Sequence, residues 1–216
     1  MGTSFEEFKA FFRGENSLPL VTTGLISIIV VIYFLFILMD PLNSLLVLPS
    51  AHIEPWSLKG QLVFSGEYFR LLSSMFIHYN LAHVGSNLLF LLIYGLRYEE
   101  LSDSRLLLVI FLVSGLAGNL LTVFILPDIY SAGASGAIFG VFGALLVVLH
   151  KSYPSGLKTS IFIAFIFFTL TIASDTNVLA HGGGLLTGFV LQLSYSRLTS
   201  MKDRRGVKLW KITDFR

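Results

Sequence analysis

The sequence predicts an all-α integral membrane protein: a bundle of six transmembrane helices with a long, partly membrane-embedded first external loop. Three observations carry that expectation. Of the 216 residues, 54% are hydrophobic and 13% charged, with a mean hydropathy of +0.77, a balance that cannot cover a water-soluble globule. Six stretches come close to the apolar length a bilayer requires, about 17 to 25 residues per spanning helix. If those stretches alternate across the membrane, Lys59 and Arg70 fall on one side and the other 13 of the 15 Lys and Arg residues on the opposite side, which is the bias that orients membrane helices.

Taken in order, a segment over 1–19 carries Phe5, Phe8 and Phe12 on one helical face, which fits either an interfacial helix on the inner surface or ordinary core packing. The first span, 20–39, follows a mixed-charge region and has no small-residue cleavage site after it, so it is expected to be a retained helix. The loop over 40–77 is apolar for a connector, yet Pro41, Pro49, Pro55, Gly60 and Gly66 divide it into short pieces. Short amphipathic helices lying in the outer interface are expected there. Further spans follow at 81–96, 106–126, 134–149, 157–173 and 178–195. The six-helix domain therefore covers 20–195, and a basic tail over 196–216, including Trp210, is expected to meet anionic headgroups. Six spans put both termini on one side, and the cation count makes that side cytoplasmic. With no cysteine, disulfides, thiolate metal sites and cysteine nucleophiles are excluded.

Hydrogen-bonding side chains inside a membrane are costly, so those within the spans are candidates for function, with helix packing as the plainer explanation. A helical rise of about 1.5 Å per residue gives their depth. Ser135 lies 16 residues above Lys151 and His181 lies 16 above Arg197, while His83 and Asn87 lie 14 and 10 above Arg97. All four fall about 15 to 24 Å above the inner boundary of a core about 30 Å thick. Span four is too short to cross alone, so 127–133 must dip into the bilayer against protein or water, and an outward-opening, water-accessible cavity follows. Gly136 and Gly140 on span four, and Gly184 and Gly188 on span six, form small-xxx-small pairs that permit close backbone approach. If those faces meet, Ser135 and His181 come within hydrogen-bond reach; otherwise the glycines only pack helices and the serine bonds its own backbone.

The residues assembled in this way resemble the rhomboid family of intramembrane serine proteases. The family's G-x-S-G reads here as Gly133-Ala134-Ser135-Gly136, and its A-H-x-x-G-x-x-x-G as Ala180-His181 with Gly184 and Gly188. Its H-x4-H-x3-N reads as His78, His83 and Asn87, with Arg70 eight residues before the first histidine. Its G-x-x-x-E after span two reads as Gly95 and Glu99. The resemblance implies a rhomboid-like bundle in which Ser135 is the nucleophile and His181 its general base. The N–H of Ser135 and the side chains of His83 and Asn87 would form the oxyanion hole. Phe139 stands where many members have a tyrosine stacked on the base histidine, so the ring is kept and the hydroxyl lost. His78, Arg70, Gly133, Gly136, Gly184 and Gly188 take supporting roles, Arg70 by satisfying loop carbonyls near Glu67.

No carboxylate lies at the dyad's depth in the spans; Asp175, just before span six, is the nearest in sequence. The expected activity is therefore that of a Ser-His dyad endopeptidase without metal or cofactor. It would cut membrane-protein substrates in or beside a transmembrane helix, in the plasma membrane, with its site opening outward. Partners are the lipid bilayer and those substrates, with no nucleic acid. A zinc protease would need H-E-x-x-H, which is absent. The alternative is a catalytically inactive rhomboid-like protein that binds membrane clients, although such relatives usually lack the serine or the histidine. A small transporter would show repeated halves or paired broken helices, and neither is seen.

Overall fold

A proline sets where the first long helix begins. Pro19 has no N–H to donate, and its carbonyl accepts from the Thr23 backbone N–H at 3.0 Å and the Thr23 hydroxyl at 2.8 Å. Helix α1 then runs over Leu20–Met39. The computed structural model describes residues 19–40, 46–152 and 176–204. The predicted span at 157–173, the phenylalanines at 5, 8 and 12, Asp175 and the tail around Trp210 lie outside the described residues.

Four more long helices follow: α2 over Leu81–Leu101, α3 over Ser104–Ile125, α4 over Ser135–Ser152 and α5 over Val178–Arg204. Among the described residues there is no β-sheet, only two isolated bridges. Side-chain caps start α2 and α3. Asn80 accepts from the His83 backbone N–H at 2.8 Å, and Asp103 accepts from Arg105 and Leu106 at 2.7 and 3.2 Å, satisfying donors that a helix leaves unpaired at its start. The start of α1 is capped from another helix. Glu99 on α2 accepts the backbone N–H of Thr22 at 2.7 Å and of Val21 at 3.4 Å, where a negative charge also meets the positive end of the helix dipole. One turn earlier, Gly95 makes room, because a Cβ there would overlap the Thr22 side chain.

Helix α4 is the centre of the bundle, packed against α2, α3 and α5, with Val141 and Ala144 fully enclosed. Its contact with α5 is made by backbones. A Cβ on Gly184 would overlap the Gly136 carbonyl, one on Gly188 the Gly140 carbonyl, and one on Gly143 the Leu185 carbonyl. The two glycine faces picked out in the sequence meet each other. Helix α1, on the periphery, turns Ile28, Val31, Phe34, Leu35 and Leu38 outward. By length and composition, α1 and α3 are each able to cross a membrane, whereas the apolar part of α4 is shorter.

The first loop forms short helices at Ser50–Ile53, Gly60–Phe64 and Arg70–Ser73, with single 3-10 turns at Glu54–Trp56 and Ser74–Phe76. Trp56, Phe64, Tyr68, Phe69 and Leu72 remain exposed along it. Buried Arg70 pins the loop, donating to the Glu54 and Ser57 carbonyls at 2.7 Å each and to the Glu67 carboxylate at 2.7 Å.

Two helices outrun the apolar segments that announced them. Helix α2 passes residue 96 and ends at Leu101, and α5 passes residue 195, the expected end of its span, and continues to Arg204. Hydropathy marks where a helix leaves the bilayer. A helix ends only where its hydrogen bonding is interrupted, and no Gly or Pro lies between Gly188 and Gly206.

Candidate active site

Ser135 is the first residue of α4, and the segment leading to it is fixed residue by residue. Gly133 has φ of 132°, a conformation that favours glycine. A Cβ there would also lie 2.8 Å from the His83 ring. Its N–H donates to the Ser74 carbonyl at 2.8 Å. The next N–H, of Ala134, points at His78 Nε2 at 3.4 Å. His78 is only 1% exposed. Burial, reinforced by neighbouring His83, pushes its pKa down to about 3, so the ring stays neutral and keeps an acceptor for that N–H. Gly133→Ala is expected to cost about 1–3 kcal/mol in backbone strain. It should also shift His83 enough to lower any turnover by at least about tenfold; a thermal melt read beside the rate separates the two effects.

Facing the serine, His181 sits in the first turn of α5. Its Nε2 lies 2.8 Å from Ser135 Oγ, a hydrogen-bonding distance. Phe139, one turn along α4 from the serine, stacks on the His181 ring at 4.4 Å between centroids and 23° between planes. That stack fixes the plane of the imidazole. On the far wall, His83 packs edge-on against His78 at 5.0 Å. Buried Asn87 donates one amide N–H to the His83 carbonyl at 2.8 Å.

Ser135, His181, His83, Asn87, Gly133 and Phe139 line a single cavity of about 980 Å³, as does Gly136. His78, Arg70, Gly184 and Gly188 lie outside its wall: the first under the segment before Ser135, the second in the first loop, the glycines in the α4–α5 contact. The site is therefore a serine hydroxyl bonded to an imidazole at the start of a core helix, with a second imidazole and an amide across the same hollow.

A family model for the Rhomboid domain matches residues 65–198. The chain belongs to the rhomboid family. Among known rhomboids it is 34% identical over 137 residues to "RHOMBOID-like protein 6, mitochondrial" of Arabidopsis thaliana, covering 61% of this chain and 45% of that one. It is 36% identical to "RHOMBOID-like protein 2" of the same plant, covering 57% and 41% of the two chains. Against "Rhomboid protease GluP" of Bacillus subtilis (strain 168) it is 35% identical, covering 61% and 27%. The match thus spans less than half the length of each of these relatives. As a rhomboid, the protein is a membrane-embedded helical bundle.

This rhomboid also uses polar residues that the motifs do not include. Asn119 on α3 donates to the Leu71 carbonyl at 2.8 Å and the Ser74 hydroxyl at 3.0 Å, holding the loop that carries His78. Asn177, just before α5, bonds Thr122 and Ser131. The depth arithmetic could have found the first of these, because Asn119 lies 14 residues above Arg105, in the same layer as His83. Asn177 stands outside the predicted spans and has no periodicity to mark it.

Proposed function

We propose that this rhomboid is an intramembrane serine endopeptidase that hydrolyses peptide bonds in or next to transmembrane helices of other membrane proteins. The observation that carries the reading is the 2.8 Å contact between Ser135 Oγ and His181 Nε2 inside a cavity roomy enough for water and an extended peptide. A neutral serine is a poor nucleophile until a base takes its proton. In this reading His181 Nε2 accepts that proton as Oγ attacks the scissile carbonyl, then returns it to the departing amine. The acyl-enzyme is cleared by a water that His181 deprotonates in turn, and the proton goes back to Oγ. The carbonyl oxygen, negative in each tetrahedral intermediate, meets the Ser135 N–H, the His83 ring and the second N–H of Asn87, donors each worth about 3 to 4 kcal/mol when well aimed.

The architecture that goes with this reading is six spans over 20–195 with the segments 1–19 and 196–216 in the cytoplasm of a plasma-membrane protein. Support comes from the lopsided cations. The cavity then opens to the outer face. A stable helix protects its own peptide bonds by hydrogen bonding, so substrates should carry Gly, Pro or other helix-weakening residues near the cut. No metal, cofactor or ATP enters the scheme.

The test needs no knowledge of the substrate. Purified protein is treated with a fluorophosphonate, which reacts with activated serines, beside Ser135→Ala and His181→Ala, with folding followed by thermal melt. Label on the parent alone is the expected result. A folded parent that takes no label, or equal label on all three proteins, would turn the reading toward a client-binding protein without catalysis.

A further inference from the structure

The nucleophile and the base stand on different segments, so something must fix the distance between them beyond the glycine contact lower down. Asn177 is placed to do this. Its Oδ1 accepts the Ala180 backbone N–H at 3.1 Å, and its own carbonyl accepts the His181 N–H at 3.2 Å, so it caps the start of α5 and holds the turn bearing the base. The orientation of its amide is set by Ala180, since only an oxygen can accept that N–H. The two hydrogens of Nδ2 then reach two other elements: Thr122 Oγ1 on α3 at 2.9 Å and Ser131 Oγ at 3.0 Å. Thr122 is buried and donates on to the Gly118 carbonyl at 2.9 Å. Gly118 is where α3 touches Ala180, since a Cβ there would lie 2.5 Å from the Ala180 carbonyl. Ser131 lies four residues before the nucleophile and is itself held by the outer loop, exchanging backbone hydrogen bonds with Leu58 at 2.8 and 3.0 Å.

We propose that Asn177 is a positioning residue, which ties the segment entering Ser135 to the helix turn carrying His181 and so sets the register of the two catalytic groups. Its side chain bonds neither the Ser135 hydroxyl nor the His181 ring. Every donor and acceptor of its amide is used in that junction, and a shift of about 1 Å between reacting groups can cost about a hundredfold in rate. The inference rests on the dyad reading above.

Two variants separate capping from bridging. Asn177→Ser keeps a good cap for α5 but is too short to reach Thr122 and Ser131, while Ser131→Ala leaves the cap intact and removes one end of the bridge. Fluorophosphonate labelling is followed against concentration for the parent, each variant and the double variant, giving the limiting labelling rate and the apparent affinity separately. The expected result is a limiting rate lower by about 10- to 100-fold in either single variant, with affinity unchanged within about twofold. The double variant should be no slower than the worse single one, because coupled residues do not add. The Tm of Ser131→Ala should stay within about 3 °C of the parent. Limiting rates equal to the parent's, losses that multiply in the double variant, or a loss seen only where Tm collapses would overturn the inference. A parent that takes no label overturns the dyad reading, and this inference with it; a parent that labels while the variants label equally overturns the inference alone.

Discussion

Ser135→Ala and His181→Ala are each expected to remove proteolysis to background, a loss on the order of 10⁴-fold in kcat or more, with the double variant no worse than either. The hydroxyl and the imidazole act as one unit: the serine reacts only while its proton is leaving for the 2.8 Å neighbour, so deleting either end deletes the same step. The loss should be smaller than the roughly 10⁶-fold of soluble triads, because among the described residues no carboxylate bonds the base, and an orienting aspartate is worth about 10⁴ there. Stacking by Phe139 holds the ring plane but supplies no charge. Stability should scarcely change. Ser135 is half-buried beside a cavity, so the imidazole nitrogen left behind can turn to water and escape the desolvation cost of an unpaired buried group. Single-turnover cleavage of a reconstituted membrane substrate, with a melt for each variant, measures both quantities.

The second large effect belongs to a residue with no side chain. Gly184→Ala is expected to destabilise the protein by about 3 kcal/mol, the upper end for overpacking, and to abolish activity along with the fold. The added methyl would overlap the Gly136 carbonyl, and a backbone carbonyl in the first turn of the bundle's central helix cannot rotate aside. Helices α4 and α5 would have to separate, carrying Ser135 and His181 apart. Gly188→Ala, aimed at the Gly140 carbonyl, should behave alike. The control lies two residues from Gly184. A Cβ on Gly182 meets nothing within 4 Å, so Gly182→Ala should be neutral or stabilising by up to about 1 kcal/mol, the difference in helix propensity. Melting temperatures of the three variants in one detergent decide the matter, and equal values for Gly182→Ala and Gly184→Ala would contradict the backbone-contact account.

Hydropathy revealed the existence and order of the long helices because a bilayer imposes a length and an apolar surface on whatever crosses it. It was weaker at their ends, as α2 and α5 show, since leaving the membrane and leaving the helix are separate events. Depth arithmetic levelled Ser135 with His181 because each is counted 16 residues along a regular helix from a basic residue, Lys151 or Arg197. It said nothing about rotation, so only the glycine spacing suggested that the two faces would meet. Arg70 was legible as a residue that satisfies loop carbonyls, but not which ones: the Glu54 and Ser57 carbonyls, like the Thr22 N–H bonded by Glu99, are backbone groups, which carry no signature in a sequence. Asn177 was invisible for the same reason, its role resting on a cap and a junction of three segments and not on any repeat.

The meeting of Gly136 with Gly184, and of Gly140 with Gly188, has a consequence for motion. Most helix pairs are separated by side chains, which hop between rotamers on picosecond to nanosecond timescales where they are exposed and lose conformational entropy when they are packed. Glycines have no rotamers either to lose or to sample. Where backbone lies on backbone, the gap between nucleophile and base cannot breathe through side-chain rearrangement at the contact, only through displacement of a whole helix. Thermal fluctuation of the 2.8 Å contact is therefore confined to the torsions of Ser135 and His181 themselves, and the latter is already damped by the aromatic ring stacked on it.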